Sequence, residues 1–307
     1  MKLLVFIALS VSLFGEVYHK KDVIDSNGSI LSIKTGNLIT GIITTYHPTG
    51  KIQTVTPYTD GKRNGVQKIY DMEGELYKEI PFRDNKKNGI GTVYHFGTNK
   101  ILRGIPYIDN MINGIQRSYY LSGKLQAEIP YIDGKIEGVG KTYYRTGELQ
   151  TRVLFKDDQK YGEGIRYRMT GEIEVKTRYE DGKRILEEDY YRTGKLKRET
   201  PYENGKKSGI LKIYYSTGEL HGESPIKNSI VNGVLKRYYK TGKLQREVLY
   251  KDGKMNGVLR LYGETGNLNL KITFKDNKAV HGTIYKKDGS TPKQMTHADF
   301  DKLKMDY

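Results

Sequence analysis

One stretch of two dozen residues is written ten times in succession along this chain. The copies open at Gly41, Gly65, Gly89, Gly114, Gly138, Gly162, Ile185, Gly209, Gly233 and Gly257, in steps of 24 residues apart from one of 25 and one of 23. A period in this range marks a repeat array, in which units too small to fold alone bury their apolar faces against their neighbours.

With the opening residue as position zero, position five is tyrosine in all ten copies, from Tyr46 and Tyr70 to Tyr238 and Tyr262. Position eleven is leucine or isoleucine throughout, once the extra residue of the third copy is allowed for, and position seventeen is aromatic everywhere except at Ile226. Alternation with period two points to half-buried strands, and the apolar residues at one, five, eleven, fifteen and seventeen are expected to share one face. Position nine is Gly in nine copies, and position twenty is Gly, Asn or Asp in nine. Both read as turns that need positive φ, which makes each repeat a β-hairpin joined by a second turn to the next. The fold class expected is all-β, an elongated single antiparallel sheet or solenoid of ten hairpins about 100 Å long at roughly 4.8 Å per strand.

The motif Tyr-Tyr-x-x-Gly-Lys-Leu followed by Tyr-x-Asp-Gly-Lys-x-Asn-Gly, seen whole in residues 238–257, resembles the MORN repeat, in the bacterial variant form found in YwqK-like antitoxins. The resemblance covers residues 41–280. It implies hairpins in an antiparallel sheet and, for function, a scaffold, a dimerising module, a membrane-proximal module or an appendage of an enzyme.

Around the array, residues 1–15 read as a signal peptide, with Lys2 followed by an apolar run from Leu3 to Phe14 that is too short to span a membrane comfortably. Residues 16–40 read as a worn half-repeat that caps the first edge strand, with Asn27-Gly28 echoing a turn. Residues 281–307 read as a half-repeat and a C-terminal cap. There Thr296 to Asp299 fits a helix start, and Phe300 and Leu303 seat a short helix.

Lysine and arginine number 52 against 36 acidic residues, a net charge of +16 that favours acidic partners such as anionic lipid headgroups, an envelope polymer or an acidic protein surface, with nucleic acid disfavoured. No cysteine is present, so disulfides and thiol chemistry are excluded. The six histidines are scattered without metal-ligand spacing, and the glycines from Gly134 to Gly140 miss the spacing of a phosphate-binding loop. No catalytic residue, cofactor or metal is therefore expected. Two candidate binding rows stand out. Position six is tyrosine in five copies, Tyr120, Tyr144, Tyr191, Tyr215 and Tyr239, expected to lie exposed in two rows interrupted by Arg168. The second row is the lysine after the second turn, Lys62, Lys135, Lys183, Lys206, Lys254 and Lys278, with Lys86 and Lys207 beside it. The reading is an exported, periplasmic or cell-surface, non-enzymatic scaffold that binds a protein or an anionic envelope polymer or lipid, with a homodimer through the aromatic face as a further possibility. The alternative is an antitoxin that occludes a toxin by contact.

Overall fold

The computed structural model describes residues 16–286, 291–296 and 300. The chain divides into two compact units, Met1–Gln159 and Lys160–Tyr307. Within each unit the repeats form an antiparallel meander. Each repeat contributes a six-residue first strand such as Gly65–Tyr70 and an eight-residue second strand such as Leu76–Arg83. The second strand pairs with its own first strand and then with the first strand of the next repeat, as Glu79 does with Lys68 and with Thr92. Both turns have the backbone that the sequence demands. Gly74 and Gly123 sit at φ 88° and 85° in the first turn. In the second turn both central residues are left-handed, as at Asp60-Gly61 (49° and 74°) and Asp252-Gly253 (49° and 80°), the type I′ geometry that matches strand twist.

The shared apolar face does not form as expected. Ladder partners add to seventeen within a repeat, so that position two faces fifteen (Gln67 and Ile80) and position one faces sixteen (Val66 and Pro81). Odd positions of the first strand therefore lie with even positions of the second. The register then slips between positions four and five, where Ile69 pairs Lys78 but Tyr70 pairs Leu76, leaving position twelve as a bulge. That bulge puts position eleven on the side of tyrosine five. One face thus carries positions two, thirteen, fifteen and seventeen and is the buried one, with Ile43, Ile80, Phe82 and Ile105 in the first unit and Val175, Tyr202, Leu235, Val248, Leu259, Ile272 and Phe274 in the second. Ile165, at position three, is an exception among the buried apolar residues. The open face carries one, three, five, eleven, fourteen and sixteen. The aromatic residues are consequently divided between the two faces.

A second bulge explains the opening glycine. Between the Glu79–Thr92 and Phe82–Lys87 pairs the incoming strand has two residues more than its partner. Asn88 N–H donates to the Pro81 carbonyl there, and Gly89 bends at φ 109°. The same bulge admits proline at position sixteen in Pro57, Pro81, Pro106, Pro130, Pro201 and Pro225. A strand residue's N–H points the same way as its carbonyl, and here the bulge leaves no acceptor for it. Where the chain is one residue shorter, at Ile185, the bulge shrinks to one residue and glycine is no longer needed.

Repeats are held to one another by contacts about 22 residues apart. The position-twenty N–H donates to the carbonyl at position twenty-two of the preceding repeat, as Asn85 does to Arg63 (3.0 Å) and Ser229 to Lys207 (2.8 Å). The position-twenty-two side chain covers the next ring at seventeen, with the Arg63 guanidinium 4.2 Å from the Phe82 centroid and that of Arg184 3.9 Å from Tyr202. Lysine ten reaches the next position-eight carbonyl, as Lys124 does at Thr146 (2.7 Å) and Lys195 does at Thr217.

The first edge strand, Gly41–Tyr46, is covered by Glu16–His19 in parallel pairing, and Val23–Ser26 with Ser29–Ser32 makes a separate hairpin turned by Asn27-Gly28. At the other end Lys293–Gln294 covers Lys278–Ile284. The expected signal peptide lies outside the described residues. So does most of the expected capping helix. Of it, Thr296 and Phe300 are described, the Phe300 N–H donating to the Thr296 carbonyl (3.2 Å), and no α-helix belongs to the architecture that the described residues show.

Candidate binding surface

The two rows picked out by sequence have different settings. The tyrosines at position six are half-buried rather than exposed. Tyr120, Tyr191, Tyr215 and Tyr239 each donate their hydroxyl to the carbonyl of the next repeat's position five, at Tyr143, Tyr214, Tyr238 and Tyr262, over 2.7–2.8 Å. Tyr144 is half-buried as well. Other residues at this position make the same bond. The Arg168 guanidinium donates to the Tyr190 carbonyl, and His47 and His95 place Nε2 3.0 and 3.1 Å from the carbonyls of Tyr70 and Tyr119. Where Tyr, His or Arg stands at position six it is a staple between repeats, whereas Asp71 accepts from Glu73 and Glu75 N–H within its own turn and Gly263 has no side chain to reach across. The turn lysines are exposed. Lys135 pairs with Asp157 (2.8 Å) and Lys86 with Asp109 (3.7 Å), whereas Lys62, Lys183, Lys206, Lys254 and Lys278 make no ion pair among the described residues.

What the sequence reasoning missed is the character of the open face. Position one, expected in the core, is solvent-facing: Ile90 is 67% exposed, and Val66, Ile115 and Val139 are exposed too. Each lies opposite position sixteen in the ladder, giving the pairs Val66–Pro81, Ile90–Pro106, Ile115–Pro130 and Val139–Leu154. Ile108, Met111 and Ile132, also exposed, extend this apolar stripe toward the second turn. At the start of the stripe Ile42, Val55, Pro57, Val66 and Tyr70 line a groove of about 670 Å³. Position sixteen, proline in six copies, was the available signal, because an apolar residue opposite a proline ring makes continuous apolar surface across the ladder.

Beside the stripe runs a polar ladder. The Tyr94 hydroxyl donates to Glu79 (2.7 Å) and Tyr143 to Glu128 (2.9 Å), while Lys68 and Arg117 lie across the strand from the same two glutamates at 3.8 and 3.1 Å. Burial, with the Glu79 bond second, pushes the Tyr94 hydroxyl up to about 12. These carboxylates are engaged by tyrosine and cation along the sheet and do not form an acid–base pair across a cleft. Among the described residues no group of three or more His, Asp or Glu could hold a metal ion, and no helix is long and apolar enough to cross a membrane.

The family model described as MORN repeat variant matches residues 39–60, 112–133, 136–157, 184–204, 207–228 and 231–252. Six of the repeats match the MORN repeat variant. Each matched MORN segment begins at position twenty-two, which at Arg184 covers the next ring, and ends at position nineteen, the first residue of the I′ turn. The MORN unit is thus the hairpin together with the side chain that seals it. Among curated proteins none matches the chain. Of solved structures, one titled "Crystal Structure of TcdB2-TccC3-Cdc42" aligns with 84% of this chain at 14% identity and a TM-score of 0.17. Another, "Crystal Structure of TcdB2-TccC3", aligns with 92% at 10% identity and 0.19. The Photorhabdus luminescens Tc holotoxin pore aligns with 89% at 13% identity and 0.16. The chain spans 18%, 22% and 16% of the length of those chains, and at such scores the likeness carries no argument.

Proposed function

We propose that the chain is a non-enzymatic MORN-variant scaffold that holds a protein partner on the open face of its first unit. The observation that carries this reading is the stripe of exposed Val66, Ile90, Ile115 and Val139 backed by Pro81, Pro106, Pro130 and Leu154. Contiguous apolar surface of this kind is what a partner's apolar residues desolvate. The Ile90→Asp, Ile115→Asp double variant changes only solvent-facing side chains. The parent is expected to capture a protein partner, and the variant to keep the parent's far-ultraviolet dichroism while losing that partner; capture by neither, or equal capture by both, would refute the reading.

The scaffold is placed outside the cytoplasm on the strength of Lys2 and the apolar run from Leu3 to Phe14. Recovery of the full-length chain in the cytoplasmic fraction argues against that. A toxin occluded by contact is one instance of such a partner. Rescue of cells by co-expression, abolished by the same double variant, identifies it.

A further inference from the structure

The buried face of the second unit contains a cluster of positive charge that the scaffold reading does not use. Positions four and thirteen face each other in every repeat, and nearly all of these pairs are compatible. Thr142 shares a hydroxyl bond with Thr151 (2.7 Å), Asp189 pairs with Arg198 (2.8 Å) and Leu261 lies against Leu270. The ninth repeat alone sets two cations opposite one another, Arg237 against Arg246. Like charges directly across a ladder, with Cβ atoms about 5 Å apart, destabilise a sheet.

The surroundings do not relieve this repulsion. The two arginines open onto a pocket of about 660 Å³ whose other polar residues include His221, Gln245 and Asn269, with no carboxylate among the lining side chains. Neither guanidinium makes an ion pair among the described residues, and Arg246 Nε is buried without a hydrogen-bond partner. Burial first, and Arg246 second, lower the pKa of Arg237, and burial followed by Arg237 lowers that of His221, whose ring stacks on Tyr215 at 4.2 Å.

The backbone makes room for the pair. Gly222 lies beside Arg237 in the ladder, and a Cβ there would come within 2.6 Å of Arg237 Nη1 and 2.8 Å of its Cδ. No left-handed φ requires glycine at 222; a Cβ there would also lie 2.9 Å from the Lys236 carbonyl, so strand backbone and Arg237 together occupy the space of a side chain.

We propose that Arg237 and Arg246 bind one phosphate-class oxyanion, with His221, Gln245 and Asn269 around it. Two fixed positive charges are neutralised by a dianion, which a phosphate monoester approaches at neutral pH and a simple carboxylate does not. Guanidinium forks match tetrahedral oxyanions in geometry, and an incoming oxygen supplies the acceptor that Arg246 Nε lacks. Leu261 and Leu270 leave apolar wall for the organic part of an ester. The site belongs to the second unit and stands independently of the docking stripe proposed for the first.

The test is calorimetric titration of the full chain with inorganic phosphate and with phenyl phosphate, using sodium chloride and sodium acetate at matched ionic strength as controls. The expected result is a single saturable site for both phosphates and none for acetate or chloride. Arg246→Gln should weaken that site at least tenfold, while Lys275→Gln, at an exposed lysine outside the pocket, leaves it unchanged. Because a like-charge contact is removed, the ligand-free thermal midpoint of Arg246→Gln should equal or exceed that of the parent. Competition by vesicles containing phosphatidic acid identifies a lipid headgroup as the source, and its absence a soluble ester; either keeps the site. No saturable phosphate binding overturns the proposal, as does undiminished binding by Arg246→Gln or a ligand-free midpoint for that variant well below the parent's.

Discussion

At the scale of single residues, the repeat is specified by a few positions with strict stereochemical demands. Gly209 bends at φ 113° with the Pro201 ring packed where a side chain would go, a Cβ there lying 2.8 Å from Pro201 Cγ. Gly209→Ala should cost about 1–3 kcal/mol in urea unfolding, because strain and overlap act together. Gly242, equally left-handed at φ 80° but with open space at its Cβ, should cost less on the same substitution. Tyr94 and Tyr190, both at position five, link stability to pH. Tyr94 is pushed up to about 12 by burial and then by Glu79, and Tyr190 to about 12 by burial and then by Glu188. The folded chain keeps these protons after the unfolded chain has released them above the ordinary value of 10.0, so their contribution is complete below pH 10.0 and lost as the pH rises toward about 12. The thermal midpoint is expected to hold up to pH 10.0 and fall beyond it; a midpoint that does not fall above pH 10.0 would contradict this.

At the scale of the hairpin, stability resides between repeats as much as within them. The Tyr215 hydroxyl donates to Tyr238 and that of Tyr239 to Tyr262, each over 2.8 Å. Tyr215→Phe removes one such bond while leaving the ring, and should lower stability by about 1 kcal/mol. Any loss of partner capture by the Tyr→Phe variants beyond what their stability explains would return position six to the binding surface. The hairpins themselves were legible in the sequence, since Gly74 and the Asp60-Gly61 turn declare positive φ wherever they stand. The inward face was not. It depends on ladder partners adding to seventeen and on the bulge at position twelve, and neither Val66 nor Leu76 carries a local mark of either. That is why Val66 and Ile90 were expected in the core and proved to be surface, and why the apolar stripe escaped notice.

At the scale of the whole chain, equivalence of the repeats makes them interchangeable in principle. Deleting residues 209–232 joins Ser208 to Gly233, whose φ of 122° matches the 113° of Gly209, and presents Lys207 with the Tyr250 ring at the position it expects. Such a deletion should fold and unfold cooperatively at a lower midpoint, whereas removing residues 209–220 breaks the period and should lower the midpoint further and broaden the transition. The amino-acid sequence by itself determined the period, the hairpins and the places where the chain reverses, because a turn is a property of two or three adjacent residues. Only the tertiary structure decided which side chains are covered, which lie open in a stripe, and that Arg237 stands against Arg246. Those outcomes depend on which residue lies across the ladder, and one extra residue in a strand reverses the answer.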